Sequence, residues 1–157
     1  MVSAASHVED HDHSECVDTA LRKAESICAA RGLRLTALRK QVLTLVWDSH
    51  APVGAYDILD KMAEQGQRKA PPTVYRALEF LLEAGLIHRL DSLNAFIGCA
   101  HPGAPHNGQF LICGECNQVI EIHANAVQNV VQKAASEHGF VARHAVLEVQ
   151  GTCADCQ

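Results

Sequence analysis

Apolar residues return every third or fourth position along Ala20, Leu21, Ala24, Ile27 and Cys28, which predicts a helix with one buried face. Asp18 is placed to cap its start and Gly32 to stop it. The same period resumes after Thr36, another cap residue, with Leu38, Val42, Leu45 and Val46 on the inner side. A third helix is predicted from Gly54 to Gln65, with Ile58, Leu59 and Met62 as its stripe and Gly66 at its end. Pro71 and Pro72 suit a first helical turn, where the missing N–H has no partner to lose, so Thr73 to Glu83 continues a fourth helix until Gly85. The period then shortens: Leu86 to Leu90 and Ala95 to Cys99 read as two short strands around a turn at 91–94. Helices followed by a hairpin is the winged-helix order, with Pro71 to Glu83 as the recognition helix.

The pattern changes after a Gly/Pro/His loop at 100–108. Gln109 to Ile112 and Gln118 to Ile122 read as short strands, Ala124 to His138 as a helix ended by Gly139, and Phe140 to Val149 as a longer strand. The expected fold is therefore α+β. It divides into a mobile acidic, His-bearing tail (1–16), a winged-helix DNA-binding domain (17–92), the wing end and hinge (93–100), and a small α/β domain (101–157). Each part is too small to bury a generous core. The α/β part carries its own remedy, two Cys-x-x-Cys pairs, Cys113/Cys116 and Cys153/Cys156, with 36 residues between them. Four thiolates in two close pairs suit a closed tetrahedral zinc site; two redox dithiols are the alternative.

Charge sharpens the division. The net charge is −5, but residues 1–19 hold five acids and no Lys or Arg, residues 20–90 hold eleven bases and seven acids, and residues 91–157 hold two bases and six acids. The middle alone, at +4, is suited to a polyanion. An odd count of seven cysteines argues against a secreted disulfide framework. The start lacks a basic segment followed by an apolar one, and the apolar run Leu78 to Ile87 is broken by Glu79 and Glu83. A cytoplasmic protein with no membrane partner is expected.

The runs Arg34-Leu35-Thr36, Arg39, Val42-Leu43, Ala55-Tyr56-Asp57-Ile58-Leu59 and Pro71-Pro72-Thr73-Val74-Tyr75-Arg76-Ala77-Leu78 resemble the ferric uptake regulator family. The last run, followed by Glu79-Phe80-Leu81-Leu82 and Gly85-Leu86-Ile87-His88, looks like its zinc uptake regulator branch. The likeness spans about residues 20 to 156 and includes both cysteine pairs. It implies a homodimeric, zinc-responsive transcriptional repressor, not an enzyme and without a small-molecule substrate. Such a repressor binds palindromic double-stranded operator DNA, dimerises through its C-terminal domain, and carries two Zn2+ per subunit, one structural and one regulatory. Ala37 stands where the family often has proline, a change that an excellent helix former tolerates. His106-Asn107-Gly108-Gln109 replaces the His-rich cluster common in the iron-responsive branch.

The resemblance assigns the regulatory zinc to His88, Cys99, His106 and Glu121. One thiolate, two imidazoles and one carboxylate suit four-coordinate zinc, and the soft thiolate disfavours manganese and ferrous iron. Taken singly, His88 reads as an ordinary surface histidine and Cys99 as a buried apolar residue. His101 could substitute in the site, and His123 could contribute to a further one. His7, His11 and His13 sit in the tail, Cys16 and Cys28 lack a paired partner, Cys28 falls on an apolar face, and His138 and His144 read as surface residues.

For DNA, Thr73, Tyr75 and Arg76 lie at the N-terminal end of the recognition helix, and Tyr56 resembles the family's DNA-contacting tyrosine. Arg34, Arg39, Lys40, Arg68 and Lys69 read equally as phosphate contacts or as a solvated basic face. Val74, Ala77, Leu78 and Leu81 hold the helix to the core. Two other readings stay open: an iron or peroxide sensor of the same family, and a zinc hydrolase or deaminase. No His-x-Glu or His-Glu-x-x-His motif accompanies the cysteine pairs to support the latter.

Overall fold

In the computed structural model, which describes residues 13–48, 51–103, 107–142 and 145–157, four helices and a hairpin precede a small mixed sheet. The helices are α1 (His13–Ala30), α2 (Ala37–Trp47), α3 (Ala55–Glu64) and α4 (Pro71–Glu83), and the hairpin strands are β1 (Ile87–Leu90) and β2 (Ala95–Gly98). Then come β3 (Gly108–Cys113), β4 (Val119–Glu121), α5 (Asn125–Glu137), β5 (Val146–Gly151) and a 3-10 turn, Ala154–Cys156.

Local chemistry sets most of these limits. The Thr36 hydroxyl accepts the Arg39 amide at 3.4 Å and caps α2. The Asp57 carboxylate reaches back to the Gly54 amide at 3.0 Å at the start of α3. Gly85 takes φ +70°, so the Leu86 amide turns back to the Leu81 carbonyl at 2.9 Å and the chain leaves α4 straight into β1.

Two boundaries differ from the sequence reading. α1 starts at His13, so residues 13–16 are helical and Asp18 is not the cap; its carbonyl instead accepts from Arg22 within the helix. Glu15 in the first turn complements the helix dipole without needing an apolar stripe, which begins only at Ala20. β5 starts at Val146, where its pairing with Gly108 of β3 begins, while the Phe140 amide still bonds the Ala135 carbonyl at 2.9 Å and Phe140 and Val141 are exposed on the exit from α5. Residues 1–12, with His7 and His11, lie outside the described residues, as do His106 and His144.

The first core joins α1 to α4 and the hairpin through Ala24, Cys28, Val42, Leu43, Val46, Ile58, Met62, Val74, Leu78, Leu81, Ile87 and Phe96. Val53 bridges Phe96 through paired backbone bonds of 2.9 and 2.8 Å, adding a one-residue third strand to the wing.

In the second sheet the order is β4-β3-β5, with β3 antiparallel to β4 and parallel to β5 through the α5 crossover. Strand alternation gives this sheet two different faces. Phe110 lies opposite Glu121 and Glu148, and Ile112 opposite Val119; this face meets the wing, where Leu90, Phe110 and Ile112 pack with Leu93, Ile97 and Val119. Leu111, Ile120 and Val149 share the other face, and each is about 40% exposed.

Candidate metal centres and nucleic-acid interface

The two cysteine pairs meet at one end of the second sheet. Cys113 closes β3, Cys116 follows in a tight turn where Asn117 takes φ +59°, and Cys153 and Cys156 flank the 3-10 turn after β5. Their four sulfurs lie within 4.8 Å of one another, and Cys116 Sγ to Cys153 Sγ is 3.7 Å. Zn–S bonds of about 2.3 Å put tetrahedral sulfurs about 3.8 Å apart, so the set fits zinc without rearrangement. The Cys153 amide donates to Cys113 Sγ at 3.4 Å. With the amides of Cys116 and Glu115, it pulls the Cys113 thiol down to about 6. Neighbouring thiols, Cys153 first and then Cys116, push Cys156 up to about 12. One thiolate forms readily and the next resists, the repulsion a divalent cation removes.

The second cluster lies between the wing and the sheet. His88 comes from β1, Cys99 directly follows β2, and Glu121 ends β4; their ligand atoms also lie within 4.8 Å of one another. His88 Nε2 is 3.2 Å from Glu121 Oε1, and the Ala100 amide donates to Glu121 Oε2 at 3.3 Å. Cys99 is 1% exposed, and burial pushes its thiol up to about 12. Three of the four residues assigned from the sequence are thus together, while His106 lies outside the described residues. His101 and His123 stand beside the cluster, with Nδ1 and Nε2 2.9 Å apart, but neither belongs to it. Cys16 and Cys99 both line a cleft of about 290 Å3 between α1 and residues 99–102, and Cys28 is core.

Close packing sets this geometry at points that carry no signal in the local sequence. A Cβ at Gly98 would lie 2.2 Å from the Trp47 indole, and one at Gly108 would lie 2.7 Å from Phe110 and 3.4 Å from His88. Both glycines therefore allow surfaces to touch around Cys99 and His88. Gln109 is buried and pairs both side-chain amide atoms with the backbone of Ala124, at 3.2 and 3.3 Å, which holds the chain just beyond Glu121. Glu148 on β5 accepts the amides of Asp91 and Ser92 at the wing tip, at 2.7 and 3.1 Å. Long-range partners of this kind leave no local periodicity.

On α4, Val74, Ala77, Leu78 and Leu81 are buried and turn Tyr75 and Arg76 outward; Thr73 is half-buried. Thr36, Arg39, Thr73 and Arg76 line a groove of about 230 Å3 between the starts of α2 and α4. Tyr56 is 67% exposed at the start of α3. Arg39 is stacked over Phe80, 3.5 Å from the ring centroid, and Lys40 pairs with Glu25, so both have intramolecular roles. Arg34, Arg68 and Lys69 are exposed. Among the described residues no helix is long and apolar enough to cross a membrane.

The model of the ferric uptake regulator family matches residues 30–150. The zinc uptake regulation protein of Escherichia coli (strain K12) is 42% identical over 137 residues, covering 87% of this chain and 80% of that protein. A solved zinc uptake regulator complexed with zinc and DNA has a TM-score of 0.84 at 40% identity, covering 89% of this chain and 94% of the other. Holo XcZur gives 0.82 at 44% identity over 88% and 97%. Apo XcZur gives only 0.54 at 42% identity, although coverage is 90% and 98%. With the model match spanning most of its length and a relative this similar, the chain belongs to the ferric uptake regulator family.

Proposed function

We propose that this protein is a zinc-responsive transcriptional repressor, acting in the cytoplasm as a homodimer on palindromic operator DNA and controlling zinc uptake genes. In this reading, residues 17–92, with the first turn of α1 before them, form the DNA-binding domain, 93–100 the wing end and hinge, and 101–157 the dimerisation domain. Each subunit holds two Zn2+. Cys113, Cys116, Cys153 and Cys156 hold the structural ion, and His88, Cys99, Glu121 and His106 the regulatory one. The observation that carries the reading is the convergence of His88, Cys99 and Glu121 from two domains upon one point. Its donor set, with a thiolate among nitrogen and oxygen, favours zinc over the harder metals of the iron and peroxide sensors.

Zinc at that point supplies bonding that ties wing to sheet. The chain's residues do the rest: the Ala100 amide orients Glu121, Phe110 meets the His88 ring edge-on at 5.2 Å, and Trp47 backs Gly98 beside Cys99. Fixing the wing fixes the recognition helices of the dimer at one separation, which a twofold operator requires. Tyr56, Thr73, Tyr75 and Arg76 are the DNA-contacting residues. The second copy covers the apolar sheet face of Leu111, Ile120 and Val149, three neighbouring side chains that a lone subunit leaves in water.

The test is an operator titration at fixed salt with zinc, ferrous iron and manganese at buffered free concentrations. Tight binding is expected with zinc at the lowest free concentration, and Cys99→Ser should lose the zinc response while keeping the dimer. An unchanged response in Cys99→Ser sinks the regulatory assignment. Turnover of a hydrolytic substrate would favour an enzyme instead.

A further inference from the structure

Glu148 connects two parts of the molecule that zinc is also proposed to connect. Its register partner on β3 is Phe110, so its side chain leaves the sheet on the face that meets the wing. The wing tip, between β1 and β2, is a tight turn closed by the Asn94 amide on the Asp91 carbonyl at 3.2 Å. The turn's outward amides, Asp91 and Ser92, each take one oxygen of the same carboxylate, at 2.7 and 3.1 Å, across 57 and 56 residues of chain. Bonds to a charged acceptor are the strong kind, and two of them fix direction as well as distance. Arg89 pairs with the Asp91 side chain at 2.9 Å, which turns that like charge away from Glu148 and leaves it 81% exposed.

His88 lies on β1 three residues before Asp91, which directly follows the strand, about 10 Å away at the usual rise. One attachment at His88 would leave β1 free to swivel about it; a second at the wing tip removes that freedom. Leu90 lies between the two, packed with Phe110.

We propose that Glu148 is a positioning residue of the zinc switch: its carboxylate holds the wing tip against the dimerisation sheet and thereby raises both zinc affinity at the His88 centre and operator affinity. This rests on the repressor reading above. The apparent affinity for a ligand falls with the fraction of molecules in the competent arrangement, so loosening the wing weakens zinc without touching a ligand. Operator DNA requires the same arrangement, so operator binding weakens in step.

The experiment compares the full-length wild type with Glu148→Ala and Glu148→Gln. Zinc affinity is measured against a competing chelator without DNA, operator affinity is measured at fixed salt with and without zinc, and dimer state and total zinc are measured in parallel. For Glu148→Ala, loss of charge-assisted bonds at a partly exposed site predicts about tenfold weaker regulatory zinc and about tenfold weaker zinc-dependent operator binding. Glu148→Gln, which keeps the shape and loses the charge, should fall between it and the wild type. Zinc-free operator affinity should fall by a similar factor, because the competent arrangement is rarer with or without zinc, while the dimer and the zinc of the cysteine site should not change. Wild-type zinc and operator affinities in Glu148→Gln overturn the proposal, as does a loss confined to DNA; Glu148→Gln decides should Glu148→Ala fail to dimerise. A wild type without zinc-dependent operator binding would sink the repressor reading itself, a result separate from the chelator measurement.

Discussion

Gly98 shows how much of the switch depends on a missing side chain. A methyl group there would enter the Trp47 indole at 2.2 Å, and the next residue is Cys99. Gly98→Ala should therefore destabilise the winged helix by about 1–3 kcal/mol through overpacking and also weaken regulatory zinc. Thermal denaturation and chelator competition read the two effects separately. Glu148 gives a pH prediction. Burial pushes its carboxyl up, but the Ser92 hydroxyl and the amides of Asp91 and Ser92 outweigh this and hold it below its ordinary value. A depressed folded value means the contribution is full above the unfolded value, about 4.3, and is lost as pH falls through the folded one. The stability difference between wild type and Glu148→Gln should accordingly be present at neutral pH and vanish in acid, measured by denaturant unfolding. Cys113, Cys116, Cys153 and Cys156 were legible because spacing alone brings each pair together. Gln109 and Glu148 were not, because a side chain's long-range backbone partner leaves no trace in local sequence.

α4 divides its labour by period. Leu78 is 1% exposed while Arg76 faces outward, two positions apart on one helix. Arg76→Ala should cost operator affinity by about 1–3 kcal/mol, as loss of a bidentate base contact does, with the melting temperature unchanged. Leu78→Ala should instead cost about 2–5 kcal/mol of stability by leaving a cavity. A gel-shift titration beside a melting curve separates the two roles, and a drop in stability for Arg76→Ala would refute its assignment. The helices were readable because each carries a stripe and a stop. The start of α1 was not, since its first turn is exposed, and neither was the Val53 bridge, a single residue whose pairing depends wholly on Phe96.

Across the whole molecule, the four cysteines meet where the second sheet is weakest. β5 carries no buried residue and among the described residues pairs only with β3, and the four sulfurs gather at the ends of these two strands. Cys113→Ser should release β5 and with it the dimer, seen as monomer by sedimentation; a zinc-free protein that stayed an intact dimer would refute this. Val149→Asp, on the opposite face from Glu148, should dissociate the dimer while leaving the zinc of the cysteine site in place. By itself, the sequence determined the order of helices and strands, the cysteine pairs and the proline-led fourth helix, because periodicity, caps and short spacings are local properties of the chain. Only the tertiary structure decided that β1, the segment after β2 and β4 converge on one centre and that Glu148 meets the wing tip. Those contacts arise from which face of the sheet meets the wing, and that is settled by packing between residues far apart in the chain.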